Sequence, residues 1–224
     1  MSLSSVSGLV ARCRERLVRQ RLCRFSSASD IPSPLFLWLG ENQPSTTSVK
    51  SPSLLLPTGI VPPSQPTVFS PEDVVKQVNF HYDSDTHFVG GMGEEDPGVW
   101  FASRDLDPLA YGEIVQESIE LVKEERHGVP FSLCTTGMVA PTVPLSELGL
   151  STLHVSLYAG SPSDFAKATG QTERDFGMLC GFIVDSVEQG IPTEVWALEA
   201  YASGARDLAV SLGAQHIHIV GSSR

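Results

Sequence analysis

Few positions in this chain combine residue types that could do chemistry. Gly90-Gly91-Met92-Gly93-Glu94 joins glycines to a carboxylate. Bare Cα atoms let backbone approach a ligand closely, and the acid can accept hydrogen bonds from a ligand ammonium. Further along stand Thr135-Thr136-Gly137, Ser156-Leu157-Tyr158 and Glu199, which add hydroxyls and a second carboxylate. Each has an ordinary alternative: Thr-Gly as a turn, Ser156 as a small core residue, Glu199 as a solvated loop acid. His216 and His218 share one face if they lie on a strand, where paired imidazoles bind zinc or a similar divalent ion. No third ligand stands near them in sequence, and His81, His87, His127 and His154 carry no assignable role. The four cysteines, Cys13, Cys23, Cys134 and Cys180, match neither a zinc site, a C-x-x-C pair nor a disulfide framework, and read as buried free thiols.

The elements that would position these groups follow from periodicity. Ser70-Pro71-Glu72-Asp73 is a helix start, with Ser as N-cap, Pro at the first helical position and acids complementing the dipole. A strand over 86–91 would then end in the glycines, and Asp107-Pro108 would open a longer helix reaching Arg126. The alternation predicts further strands over 129–134, 152–157, 194–198 and 216–220, with helices over 143–148, 173–189 and 203–212 between them. With Leu35-Phe36-Leu37-Trp38-Leu39 as the first strand, six strands alternate with five helices. Strict alternation implies parallel strands with right-handed crossovers, in a doubly wound sheet or a barrel, and ligand groups at the carboxyl ends of the strands.

Length and charge bound the rest. At 224 residues the chain favours one domain with extensions. No stretch approaches the ~18 continuous apolar residues that cross a bilayer, which argues against a membrane protein. Residues 1–25 hold six arginines and one acid, so the −11 of the whole chain becomes −16 over residues 26–224. That remainder repels phosphate backbones and argues against general nucleic-acid binding. The Arg- and Ser-rich first 25 residues read as an organelle presequence, mitochondrial with plastid as the alternative, and Arg24-Phe25 before Ser26 resembles a matrix-processing site. Residues 26–69 read as the first strand plus a Pro/Ser-rich irregular loop, and 70–224 as the barrel.

Residues 68–221 resemble the core of a radical S-adenosylmethionine (radical SAM) protein, nearest the subgroup associated with TatD-type proteins. The resemblance is carried by Ser70 to Val75, Phe88 to Glu94, Ser132-Leu133-Cys134-Thr135-Thr136-Gly137, Leu148-Gly149-Leu150 leading into His154-Val155-Ser156-Leu157, and Leu208-Ala209 leading into Leu212-Gly213-Ala214. It implies a partial (β/α)6 TIM-like barrel of the radical SAM type. It also implies that Gly91, Met92, Gly93 and Glu94 border the amino group of S-adenosylmethionine, with Ser156 near the ribose or carboxylate. Thr136 and Glu199 would complete the rim, the fifth strand passing near the adenine. Three departures stand out: Glu95-Asp96-Pro97 replaces a direct Glu-Pro, and Thr136 and Tyr158 occupy positions where asparagine is usual.

The same resemblance implies a [4Fe-4S] cluster, whose three thiolates usually come from a C-x3-C-x2-C loop after the first strand. Residues 40–69 contain no cysteine. The expected protein is therefore a radical-SAM-like barrel with a small-molecule ligand, S-adenosylmethionine being the candidate, and without ligands for the cluster. Three readings of the missing loop stand: loss in evolution, loss from the gene model, or a resemblance that extends only to the barrel. Two alternatives compete: a metal-dependent barrel hydrolase using His216 and His218, and a non-catalytic interaction protein that binds a partner at the open barrel edge.

Overall fold

Alternation along the strands separates two faces, and each finds a different partner. The structure is a computed structural model; it describes residues 34–40, 52–57, 60–84, 98–104 and 106–221, together with the backbone of 24–27. Its strands are β1 (Arg24–Ser27), β2 (Leu35–Leu39), β3 (Val99–Ser103), β4 (Phe131–Thr135), β5 (Thr152–Tyr158), β6 (Thr193–Leu198) and β7 (His216–Val220). The helices are α1 (Pro71–Ser84), α2 (Gly112–Glu125), α3 (Pro162–Thr169), α4 (Glu173–Glu188) and α5 (Ala202–Leu212). One parallel sheet runs in the order β1-β7-β6-β5-β4-β3-β2. The six strands β2 to β7 follow chain order, and the fold is a partial (β/α)6 TIM-like barrel.

The helix-facing side of the strands is aliphatic and aromatic. Leu37, Phe101, Phe131, Leu133, Leu153 and Val195 are all fully buried there, against Val74 and Val78 of α1, Ile119 of α2, Leu179 of α4 and Ala209 of α5. The inner side carries a separate cluster of Trp38, Trp100, Ala102, Cys134 and Trp196.

Helix starts obey local chemistry. The Ser70 hydroxyl accepts from the Asp73 amide (3.4 Å), so α1 begins where the sequence places it. The Thr172 side chain caps α4 in a reciprocal box with Asp175. Asp107 caps a single 3-10 turn, Pro108–Tyr111, and α2 proper starts at Gly112. That glycine sits where a Cβ would lie 2.6 Å from Thr142 Oγ1, so the chain bends there against the 142–143 segment. The short helix expected over 143–148 is a 3-10 turn, Leu145–Glu147, because Pro144 removes a donor at its start.

Four features depart from the sequence reading. The sheet position between β2 and β4 is filled by Val99–Ser103, which the alternation pattern does not predict as a strand; the expected strand at 86–91 lies outside the described residues. Helix α3, likewise not predicted, begins with Ser161 accepting from the Asp164 amide (3.2 Å) and ends at left-handed Gly170. Arg24–Ser27, which straddles the expected presequence boundary at residue 25, pairs with β7 from Arg24 opposite His216 to Ser27 opposite Ile219, so the β7 edge is covered. At the other edge, the Thr67 and Val68 amides both donate to the Trp38 carbonyl (2.8 and 3.1 Å), which satisfies part of β2.

Candidate functional site

The carboxyl ends of the strands form a mouth, and a proline-rich strap lies over it. Leu54, Leu55, Leu56 and Ile60 pack on the inner tryptophan cluster. Two hydrogen bonds fasten the strap: the Leu55 amide donates to Ser156 Oγ (2.9 Å), and the Tyr158 hydroxyl donates to the Ser53 carbonyl (2.6 Å). Burial pushes the Tyr158 phenol well above its ordinary range, so it stays a donor. Tyr158 itself has φ of +63°, uncommon for a residue with a side chain, at the point where the β5–β6 register slips between Ser156 and Tyr158. A bulge there turns the strand end and aims the ring at the strap.

Beside this mouth Asp107 organises the loop after β4. Its carboxylate accepts from the Thr135 hydroxyl (2.8 Å), the Thr136 amide (2.7 Å), the Thr136 hydroxyl (2.6 Å) and the Leu109 amide (3.1 Å), and it is 3% exposed. With this many donors the buried carboxylate has its hydrogen-bonding capacity filled. Its pattern in sequence, Asp-Pro, signalled only a helix start. On the far side of the mouth, Gly160 touches Gly204: a Cβ on Gly160 would lie 2.0 Å from the Gly204 carbonyl carbon, so only glycine lets these two backbones cross.

The predicted ligand residues separate. Ser156 points inward at the strap. The Thr136 hydroxyl donates to Asp107 (2.6 Å), beside the mouth. Glu199 is exposed in a 3-10 turn after β6, its carboxylate near Gly221 at the rim. Gly91, Met92, Gly93 and Glu94 lie outside the described residues.

Lower in the barrel, toward the amino ends of the strands, the inner face gathers imidazoles. His154 of β5, Glu194 of β6 and His218 of β7 bring their ligating atoms within 4.8 Å of one another. His218 Nε2 lies 2.7 Å from Glu194 Oε2, and His154 Nδ1 lies 3.5 Å from the same oxygen. The Trp196 indole donates to His154 Nδ1 (3.3 Å). Trp100 stacks on His154 (centroids 3.9 Å), and Trp196 and His216 stack on His218 (4.4 and 4.3 Å). Burial lowers the His154 pKa to about 4, against the attraction of Glu194, which leaves its imidazole neutral. Burial acts to raise Glu194, but the His218 hydrogen bond and the neighbouring imidazoles outweigh it, and the carboxyl stays below its ordinary value. The sequence reading pairs His218 with His216; in the structure the partners of His218 in the cluster are His154 and Glu194, from two other strands, and His216 stacks on its ring.

The described cysteines do not suit an iron–sulfur cluster. Cys134 lies on the inner face among tryptophans and Cys180 on α4 among aliphatics, in separate packing clusters. Burial pushes the Cys180 thiol up to about 12 and Cys134 higher, so neither presents a thiolate. The strap crosses the mouth after the first core strand, where the resemblance placed the cluster loop, and it brings leucines.

No family model matches the sequence, and no curated protein matches it. Solved structures do. SuiB of Streptococcus suis bound to S-adenosylmethionine is similar at a TM-score of 0.55 and 11% identity over 87% of this chain, and a second SuiB structure gives 0.56 and 10% over the same share. The chain spans 40% of the length of SuiB. At such identity the likeness is one of fold alone: this chain shares a partial (β/α)6 barrel with SuiB.

Proposed function

We propose that this chain is an S-adenosylmethionine-binding barrel of the radical SAM type that takes no [4Fe-4S] cluster of its own. The observation that carries the reading is the barrel likeness, over 87% of the chain, to a protein solved with S-adenosylmethionine bound. The ligand would lie at the carboxyl mouth and take the place of the strap, with Glu199 and Ser156, whose hydroxyl the Leu55 amide now occupies, offering polar contacts and Trp196 an aromatic wall. Fold by itself confers no chemistry, so the reading rests on this mouth and on the Gly91 to Glu94 motif in the sequence. Placement in the TatD-associated subgroup rests on the sequence motifs alone.

Isothermal titration of the full chain with S-adenosylmethionine tests the binding. Saturable uptake is expected, weakened about tenfold by Ser156→Ala, the value of one hydrogen bond to a polar ligand. Anaerobic incubation with iron and sulfide tests the second half: no stoichiometric charge-transfer absorbance should develop. Cluster incorporation, or absence of ligand uptake at millimolar concentration, defeats the reading.

An interaction protein docking through the barrel edge has less support, since β1 lies along β7 and residues 67–68 along β2. We infer a mitochondrial address for residues 1–25, with plastid as the alternative, from the arginine-rich, acid-poor composition. A fluorescent fusion of that segment that stays in the cytosol would refute it.

A further inference from the structure

We propose that His154, Glu194 and His218 form a binding site for one divalent transition-metal ion, zinc(II) foremost, at the amino-terminal end of the barrel interior. It is separate from the mouth, and it stands or falls independently of S-adenosylmethionine binding.

The donors come from three consecutive strands: His154 pairs with Glu194 across β5–β6, while across β6–β7 Glu194 pairs with His216 and the donor His218 lies one inner-face position further along, its Nε2 reaching back to Glu194. All three project from the inner face toward one point. Donors bound to one zinc at ~2.0–2.2 Å stand roughly 3.3 Å apart in a tetrahedron, and the 2.7 and 3.5 Å separations to Glu194 Oε2 bracket that spacing. Two imidazoles and one carboxylate are a common zinc donor set that leaves a position open for water or another ligand.

The hydrogen bonds fix the tautomer. An indole N–H can only donate, so His154 Nδ1 is the unprotonated nitrogen, and its lone pair accepts from Trp196 until a metal takes it. His218 would bind through Nε2 with its proton on Nδ1, the tautomer opposite to the one that donates to Glu194. Rings held by stacking on Trp100, Trp196 and His216 need little reorganisation. The Trp196 layer and the strap close the cluster toward the mouth, whereas the Glu194 side chain is 23% exposed, so the ion would enter from the amino end.

Two further features favour an ion over a purely structural network. A carboxylate flanked by two buried imidazoles on a barrel interior is costly to keep if the only reward is internal hydrogen bonding. The weak 3.3 Å indole contact is also the kind of bond a metal can displace from His154.

The test uses the full chain stripped with chelator and then titrated with zinc sulfate alone, with bound metal measured by mass spectrometry. About one zinc per chain should be retained after desalting. Glu194→Gln and His218→Gln should each weaken uptake by tenfold or more, while His127→Gln, outside the cluster, leaves it unchanged. Cobalt(II) should give visible d–d bands and quench tryptophan emission, because Trp100 and Trp196 lie against the ligands. Circular dichroism verifies that the variants fold; should either unfold, the cobalt spectrum of the parent chain decides. Retention below about 0.2 zinc per chain, uptake indifferent to both folded variants, or cobalt that binds without d–d bands overturns the proposal.

Discussion

The two faces of the same strands are built to different rules. Facing the helices, Leu37, Phe101, Phe131, Leu153 and Val195 bury apolar surface and need only shape. Facing inward, Trp38, Trp100, Cys134, His154, Trp196 and His218 are as well buried, yet they carry hydrogen bonds and titratable groups. One residue of offset along a strand separates them. Stability resides mainly on the first face, and capacity for chemistry on the second.

Substitutions can break that division. Phe131→Ala should cost the most, about 3–5 kcal/mol in urea denaturation, through lost burial and a residual cavity, with metal uptake by the surviving folded fraction unchanged. Asp107→Ala comes next at roughly 2–4 kcal/mol, since it strands buried donors of Thr135, Thr136 and Leu109; Asp107→Asn, which keeps one acceptor oxygen, should recover part of the loss. If both cost the same, the hydrogen bonds are not what Asp107 contributes.

Tyr158→Phe removes one strap fastening and should cost ~1 kcal/mol globally, while limited proteolysis within 52–60 accelerates several-fold. An unchanged cleavage rate would mean that the leucines alone hold the strap. The smallest signal is a silence. With its thiol pushed up to about 12 from an ordinary 9, Cys180 should have roughly a thousandfold less thiolate at pH 8 than an ordinary cysteine, and mass spectrometry should find it unalkylated in the native chain and labelled in urea. Rapid native labelling would show that its side of α4 opens.

Much of this division is legible in sequence, and the lapses have local causes. Four strands over 131–135, 152–158, 193–198 and 216–220 announce themselves by β-branched and apolar runs between turn residues. The run Val99-Trp100-Phe101-Ala102-Ser103 is buried along its whole length, so it lacks the polar–apolar alternation that marks a strand in sequence. Helix α3 is an avoidable miss: Ser161-Pro162-Ser163-Asp164 repeats the signature recognised at Ser70-Pro71-Glu72-Asp73. The site is less legible. His154 lies 62 residues before His216 and 64 before His218, and only the strand register makes them neighbours. Asp107 looked like a cap and is also a hub, because its partners Thr135 and Thr136 arrive from another strand. Lone histidines and an Asp-Pro carry no spacing signal, since spatial neighbours so far apart leave no short motif.

The strand order has a consequence for synthesis. From β2 onward each strand docks beside the one made just before it, so the barrel can grow as the polypeptide emerges. β1 alone breaks this sequence: translated first, it must wait for β7, about 190 residues later, before it finds its partner. At ~5–20 residues per second that is a delay on the order of 10–40 s. Throughout it, Arg24–Ser27 is held by no ladder and is open to whatever factor reads the nascent chain first.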